Sequence, residues 1–190
     1  MSAESAAAAF AAEVVHYLRF HVEGRDPSSA ARLRGECAQV VARELDVPAS
    51  PAVASALAEA IVFEPYPDAL PALVGLRKRG ARLVAASNWD CSLHEVLEET
   101  AIAAHLDGAV SSAEAGAAKP DARVFHAALN LVGCSAGDAV HVGDSLEADV
   151  RGAAAAGLRA VLLDRDARVR ERDIPPHQTI GSLAELLSVI

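Results

Sequence analysis

The sequence predicts an α/β protein, a doubly wound parallel sheet preceded by a small helical block. Three observations lead there. From Pro67 onward, short apolar strands alternate with helical stretches, the pattern of a parallel sheet covered on both faces. Residues 138–164, DAVHVGDSLEADVRGAAAAGLRAVLLD, read as one strand-helix-strand unit. Residues 1–60 carry helical periodicity and no convincing strand. This change of pattern divides the chain into residues 1–63, the helical block, and residues 64–190, the α/β core.

In the block, Phe10, Val14, Tyr17, Leu18 and His21 recur at helical steps and predict a helix over 5–21, ended by Gly24 and Pro27. Ser28 reads as the N-cap of a second helix over 29–45, with Leu33, Cys37, Val40, Val41 and Leu45 on one face. A short, Ala-rich third helix follows over 52–61. The stretch FEPYPDALPAL, with Pro65, Pro67 and Pro71, is a linker into the core. There the order is helix 68–79 ended by Gly80, strand RLVAA, a helix from Ser92, strand GAVSS, and helix 121–132. After them come strand AVHVG, a helix closed by Gly157, strand LRAVLLD, a strand near Thr179 and a closing helix SLAELLSVI.

The 190 residues are 52% apolar, enough for a sizeable core in one domain. Seventeen basic against 26 acidic residues give a net charge of −9, which argues against nucleic acid or an anionic membrane as partner. Cys37, Cys91 and Cys134 are far apart and lack CxxC spacing, so they read as buried thiols in a reducing cytoplasm. The Ala-rich start has no basic n-region, and its apolar run is too short to span a bilayer.

Several residues carry chemistry. Asp144 and Asp149 meet at the C-terminal end of a strand, where ligands of open α/β sheets sit. Asp144 is either a helix N-cap boxed with Glu147 or a magnesium ligand; Asp149 either complements the helix dipole or joins that site. Ser87 and Asn88 end strand RLVAA at the same rim. Because Ser92 with Glu95 is the better helix start, their hydroxyl and amide are free to hold an anion. Lys119 is one of two lysines among 17 basic positions, a compact ammonium where arginine is the rule, suited to neutralising a phosphate at one point. Lys78 instead complements a helix end. His141, inside its strand, reads first as a core histidine satisfied by a neighbour and second as a catalytic group. His16, Tyr17, His21 and Glu23 read as packing or exposed positions that could also face a cleft between block and sheet.

The order Ser87, Lys119-Pro120, Gly143-Asp144 with Asp149, in the phrases AASNWD, GAAKPDARVF and HVGDSLEADVRGAAAAGL, resembles the haloacid dehalogenase-like (HAD) hydrolase superfamily. The match is to the branch whose helical cap is inserted after the first strand, and it runs from about Tyr66 to Asp164. The resemblance implies a Rossmann-type core and a magnesium-dependent phosphatase site for a small phosphorylated metabolite. Two acids after HVG are similar to the phosphatases rather than to the dehalogenases, which use no metal. In this likeness Ser87 hydrogen-bonds the transferring phosphoryl group, with Asn88 beside it, and Lys119 offsets its charge. Asp144 ligates Mg2+, and Asp149 supports the metal or its waters.

One departure is large. The family opens with a strand ending in DxDx(T/V), which supplies nucleophile and general acid, and no buried strand precedes Asp26, Asp46 or Asp68. In the family that strand is central, so its absence implies a slot of roughly 10 Å between strands 82–86 and 139–143, twice the usual spacing. A chain so built is expected to be inactive, and poorly stable or self-associating. A start codon assigned too late accounts for the pattern, and DNA in frame upstream of Met1 is expected to encode the motif. A non-catalytic binding protein is the alternative.

Overall fold

The computed structural model describes residues 2–168 and 178–190. The helical block consists of α1 (Ala3–Phe20), α2 (Pro27–Glu44) and α3 (Pro51–Ala60). The α2 cap is Asp26, not Ser28. Its carboxylate accepts from the Ser28 and Ser29 amides at 2.9 and 3.0 Å, and Pro27 takes the first helical position, where a missing N–H costs nothing. The buried residues of α1 are Ala9 and Glu13, and those of α2 are Ala30, Ala38 and Ala42 with Leu33, Cys37 and Val40. The face of α1 turned inward differs from the expected one. Tyr17 and His21 are held by the core, as described below, and this rotation leaves Phe10 and Leu18 in solvent. No described helix is long and apolar enough to cross a membrane.

The core runs α4 (Ala69–Lys78), β1 (Val84–Ser87), α5 (Leu93–Glu99), β2 (Gly108–Ser111), α6 (Ser112–Ala115) and α7 (Ala122–Val132). It continues with β3 (Val140–Gly143), a wide helical turn (Leu146–Arg151) leading into α8 (Gly152–Ala155), β4 (Arg159–Leu163), β5 (Gln178–Ile180) and α9 (Leu186–Val189). Every pairing is parallel, and helices connect β1 to β2 and β3 to β4. Along β4, Ala160 and Leu162 face a cluster with Phe125, Val150 and Ala153, while Val161 faces Leu76, Ile180 and Leu186. Alternation in one strand thus feeds a core on each side of the sheet, as double winding requires.

The strands do not form one sheet. Among the described residues β1 pairs only with β2, in register Val84↔Gly108 to Ser87↔Ser111, and the second sheet has the order β3-β4-β5. β1 and β3 therefore each keep an unpaired edge. Burial agrees: β4 is buried at Ala160, Val161 and Leu162, whereas all four residues of β1 and all four of β3 are only partly covered. In a continuous sheet these would be middle strands and the best buried. The expected break between the strands ending near Ala86 and Gly143 is present.

Asp68, just ahead of α4, fastens the far side of this second sheet. It takes both arms of the Arg165 guanidinium at 2.9 Å, the Ser182 hydroxyl at 2.7 Å and the Leu183 amide at 2.8 Å. These bonds, Arg165 first, hold its carboxyl well below the usual range.

Candidate active site

The site lies where the C-terminal ends of β1 and β3 face one lysine. Lys119 precedes α7, and Asn88, next after β1, grips its backbone: Asn88 Oδ1 accepts from the Lys119 amide at 2.7 Å and Nδ2 donates to its carbonyl at 3.1 Å. So fixed, the Lys119 ammonium donates to the Ala86 carbonyl at 2.7 Å and to Asp149 Oδ1 at 2.7 Å. One side chain thereby bridges the tips of the two separate sheets.

Asp149 is closed in on all sides. Its Oδ1 also accepts from His141 Nε2 at 2.9 Å, which requires the proton on that nitrogen, and its Oδ2 accepts from the Ser145 amide at 3.0 Å. The edge of the His141 imidazole ring system meets Phe125 at 5.0 Å. Burial alone would raise the Asp149 carboxyl, but His141, Lys119 and the Ser145 amide outweigh it and hold the group well below its ordinary value. The carboxylate reaches this position by passing close over Gly143, where a Cβ would stand 2.2 Å from Asp149 Cγ. Only glycine fits there. The local helix is widened as well, because the Ser145 carbonyl is shared by the amides of Asp149 and Val150 at 2.9 and 3.1 Å.

The five residues expected at the site fare differently. Lys119 and Asp149 are brought into contact. Ser87 ends β1, one residue beyond the carbonyl that binds Lys119, and its hydroxyl has no hydrogen-bond partner among the described residues. Asn88 was expected to bind substrate; its Oδ1 and one proton of Nδ2 are engaged by the Lys119 backbone, so it also positions Lys119. Asp144 is exposed, and the cap expected of it is made by Ser145, whose hydroxyl accepts from the Ala148 amide at 3.0 Å.

Magnesium needs oxygen ligands in octahedral array, usually one or two carboxylates with waters. Asp144 is a carboxylate free to be one of them. Asp149 already accepts two bonds at Oδ1, from Lys119 and His141, and one at Oδ2, from Ser145, so at most one lone pair is left for a metal or its waters. Among the described residues no three metal-binding side chains converge.

Of the block residues that could face a cleft with the sheet, Tyr17 and His21 reach the rim, through partners that sequence reasoning did not name. The Tyr17 hydroxyl accepts from the Asp90 amide at 3.1 Å, and His21 Nδ1 lies 2.7 Å from Ser112 Oγ, at the start of α6. Burial pushes the Tyr17 hydroxyl up and the His21 imidazole down, so both stay neutral near pH 7. Ser92 stands at the N-cap of α5 as expected but makes no side-chain cap bond; its hydroxyl donates to the buried Asp90 carboxylate at 2.6 Å. Partners 73 and 91 residues apart leave no local signal in a sequence.

With this geometry in hand, comparison with known proteins is decisive. The model of the haloacid dehalogenase-like hydrolases matches residues 3–157. The chain belongs to this family. Haloacid dehalogenase-like hydrolase domain-containing protein 3 of Bos taurus is 36% identical over 122 residues, 62% of this chain and 48% of that protein. Phosphoserine phosphatase of Thermus thermophilus is 38% identical over 122 residues, covering 64% and 49%. The HAD chain thus spans about half the length of these curated relatives. Among solved structures, a dehalogenase superposes with a TM-score of 0.81 at 21% identity, over 98% of this chain and 84% of that one. The HAD-hydrolase YfnB of Bacillus subtilis, bound to magnesium, gives 0.75 at 18% identity, over 100% and 83%. At such identities these two show the fold alone.

Proposed function

We propose that this site is that of a magnesium-dependent phosphatase acting on a small phosphomonoester, and that the chain by itself holds the phosphoryl group without attacking it. The observation that carries the reading is Lys119. Of its three ammonium protons two are engaged, by Ala86 and Asp149, the third has no protein partner among the described residues, and the unpartnered Ser87 hydroxyl belongs to the residue next after Ala86. A fixed ammonium and a free hydroxyl at a sheet rim suit a phosphoryl oxygen, and phosphoryl transfer depends on positioning and charge neutralisation above all. Relatives named as phosphatases support the class. Magnesium held through Asp144 would add charge neutralisation there.

Attack on phosphorus needs a nucleophile, and the described carboxylates do not supply one. Asp149 has both oxygens bonded inside the fold, Asp90 is buried against Ser92, and the exposed Asp144 is the one assigned to magnesium. A carboxylate on an extended segment lying between the open edges of β1 and β3 would end beside Lys119 and would complete the site. The closed Lys119-Asp149 pair favours a second reading, a protein that binds an anion and does nothing to it.

Titration with inorganic phosphate, followed by calorimetry, tests the assignment. Binding is expected to weaken about tenfold or more in Lys119→Ala, as loss of a charge-assisted hydrogen bond implies. Ser87→Ala, which removes a hydroxyl with no partner in the fold, is expected to weaken binding without loss of stability. Unchanged binding in both variants would remove the anion site from these residues.

A further inference from the structure

The first helix is turned inside out. Its one charge between Ser5 and Leu18, Glu13, is 6% exposed, while Phe10, Val15 and Leu18 are 47%, 70% and 55% exposed. Glu13 is kept inside by the Cys37 thiol, which burial first, and then the hydrogen bond to Glu13, push up to about 12. Helical spacing places Ala7, Ala11, Val15 and Leu18 along one stripe, flanked by Phe10 and Val14, with no acidic or basic side chain exposed between Glu4 and Arg19. A solvated helix normally shows the reverse pattern. Contiguous apolar surface of this kind marks a contact.

We propose that this stripe of α1 packs against the same stripe of a second copy of the chain, antiparallel about a two-fold axis. Three features along the helix are complementary only in that arrangement. Its N-terminal half is small (Ala3, Ala7, Ala8, Ala11) and its C-terminal half is large (Val14, Val15, Leu18). Reversal sets alanine against valine and leucine, whereas parallel pairing would bring bulk against bulk at one end and leave a void at the other. The ends carry opposite charge, Glu4 and Arg19, and both are exposed. Antiparallel pairing sets each against its opposite. A two-fold contact of this sort closes on itself, so the product is a dimer and not a filament. Phe10, beside the midpoint, provides the large anchor on which such contacts depend. Eighteen residues of helix are about 27 Å long at 1.5 Å per residue, a modest contact, so the dimer dissociates on dilution.

Sedimentation of the purified chain over a range of concentrations is the test. A monomer-dimer equilibrium is expected. Val15→Glu, at a position 70% exposed and therefore harmless to the fold, should raise the dissociation constant at least about tenfold with unchanged circular dichroism. Glu4→Arg and Arg19→Glu should each weaken the dimer, and the double variant should recover it. A monomer at every concentration would overturn the proposal. So would a dimer indifferent to Val15→Glu, which would move self-association to the open strand edges.

Discussion

Asp149→Ala is expected to cost the protein about 3–5 kcal/mol, a large share of a domain's ordinary stability of about 5–15 kcal/mol. The reason is what the substitution leaves behind. Asp149, Lys119 and His141 have side chains only 6%, 11% and 13% exposed, and removing the carboxylate strands an ammonium and an imidazole in a site with little water. The exposed pair Arg151-Glu147 provides the contrast: at 53% and 66% exposure, Glu147→Ala should change stability by no more than about 0.5 kcal/mol. Urea unfolding midpoints at pH 7 measure both. The pH dependence follows from the sign of the shift. A carboxyl held below its unfolded value contributes fully above about pH 4 and loses that contribution as pH falls through the folded value. The difference between wild type and Asp149→Ala should therefore be constant from neutral pH down to about 5 and shrink below 4.

The second large effect concerns turnover. The purified chain with p-nitrophenyl phosphate and magnesium is expected to show none above background, because Lys119 and Ser87 can hold a phosphoryl group, Asp149 and Asp90 are bonded inside the fold, and Asp144 is the carboxylate assigned to magnesium. In a well-dissected hydrolase, loss of the nucleophile alone costs on the order of a millionfold in kcat. A synthetic apolar peptide ending in aspartate, added to occupy the edge between β1 and β3, should restore measurable hydrolysis, and the same peptide ending in asparagine should not. Magnesium-dependent turnover by the chain alone, abolished by Asp144→Asn, would contradict the assignment.

How much of this was legible in the sequence depended on distance along the chain. The strand-helix-strand unit around Gly143 and the helix periods were readable because they are local, and the helix expected over 121–132 does start at Asp121, its N-cap, which accepts from the Arg123 amide at 2.9 Å. Ser28 failed as a cap because Asp26 lay two residues ahead and Pro27 fixed the first turn. His141 was read as a core histidine with a satisfied ring, and so it is; that its partner is Asp149 could not be seen from alternation along one strand. Asn88 was placed correctly at the rim, but the direction of its amide, toward the Lys119 backbone, is a matter of packing. The rotation of α1 was illegible for the same reason. Periodicity defined an apolar face, and contacts at Asp90 and Ser112 decided which side of the helix turned inward.

The account rests on a sheet divided at Lys119, with two parallel edges left open. Residue-resolved amide exchange by NMR tests this most directly. In β4, the amides of Val161 and Leu162, in the stretch paired with both β3 and β5, should exchange only through global opening. In β1 and β3, every second amide points to an unpaired edge and should exchange orders of magnitude faster than its neighbours. Uniform protection along Val84–Ser87 and Val140–Gly143, matching that of β4, would show the two strands to be paired on both sides and the division not to exist.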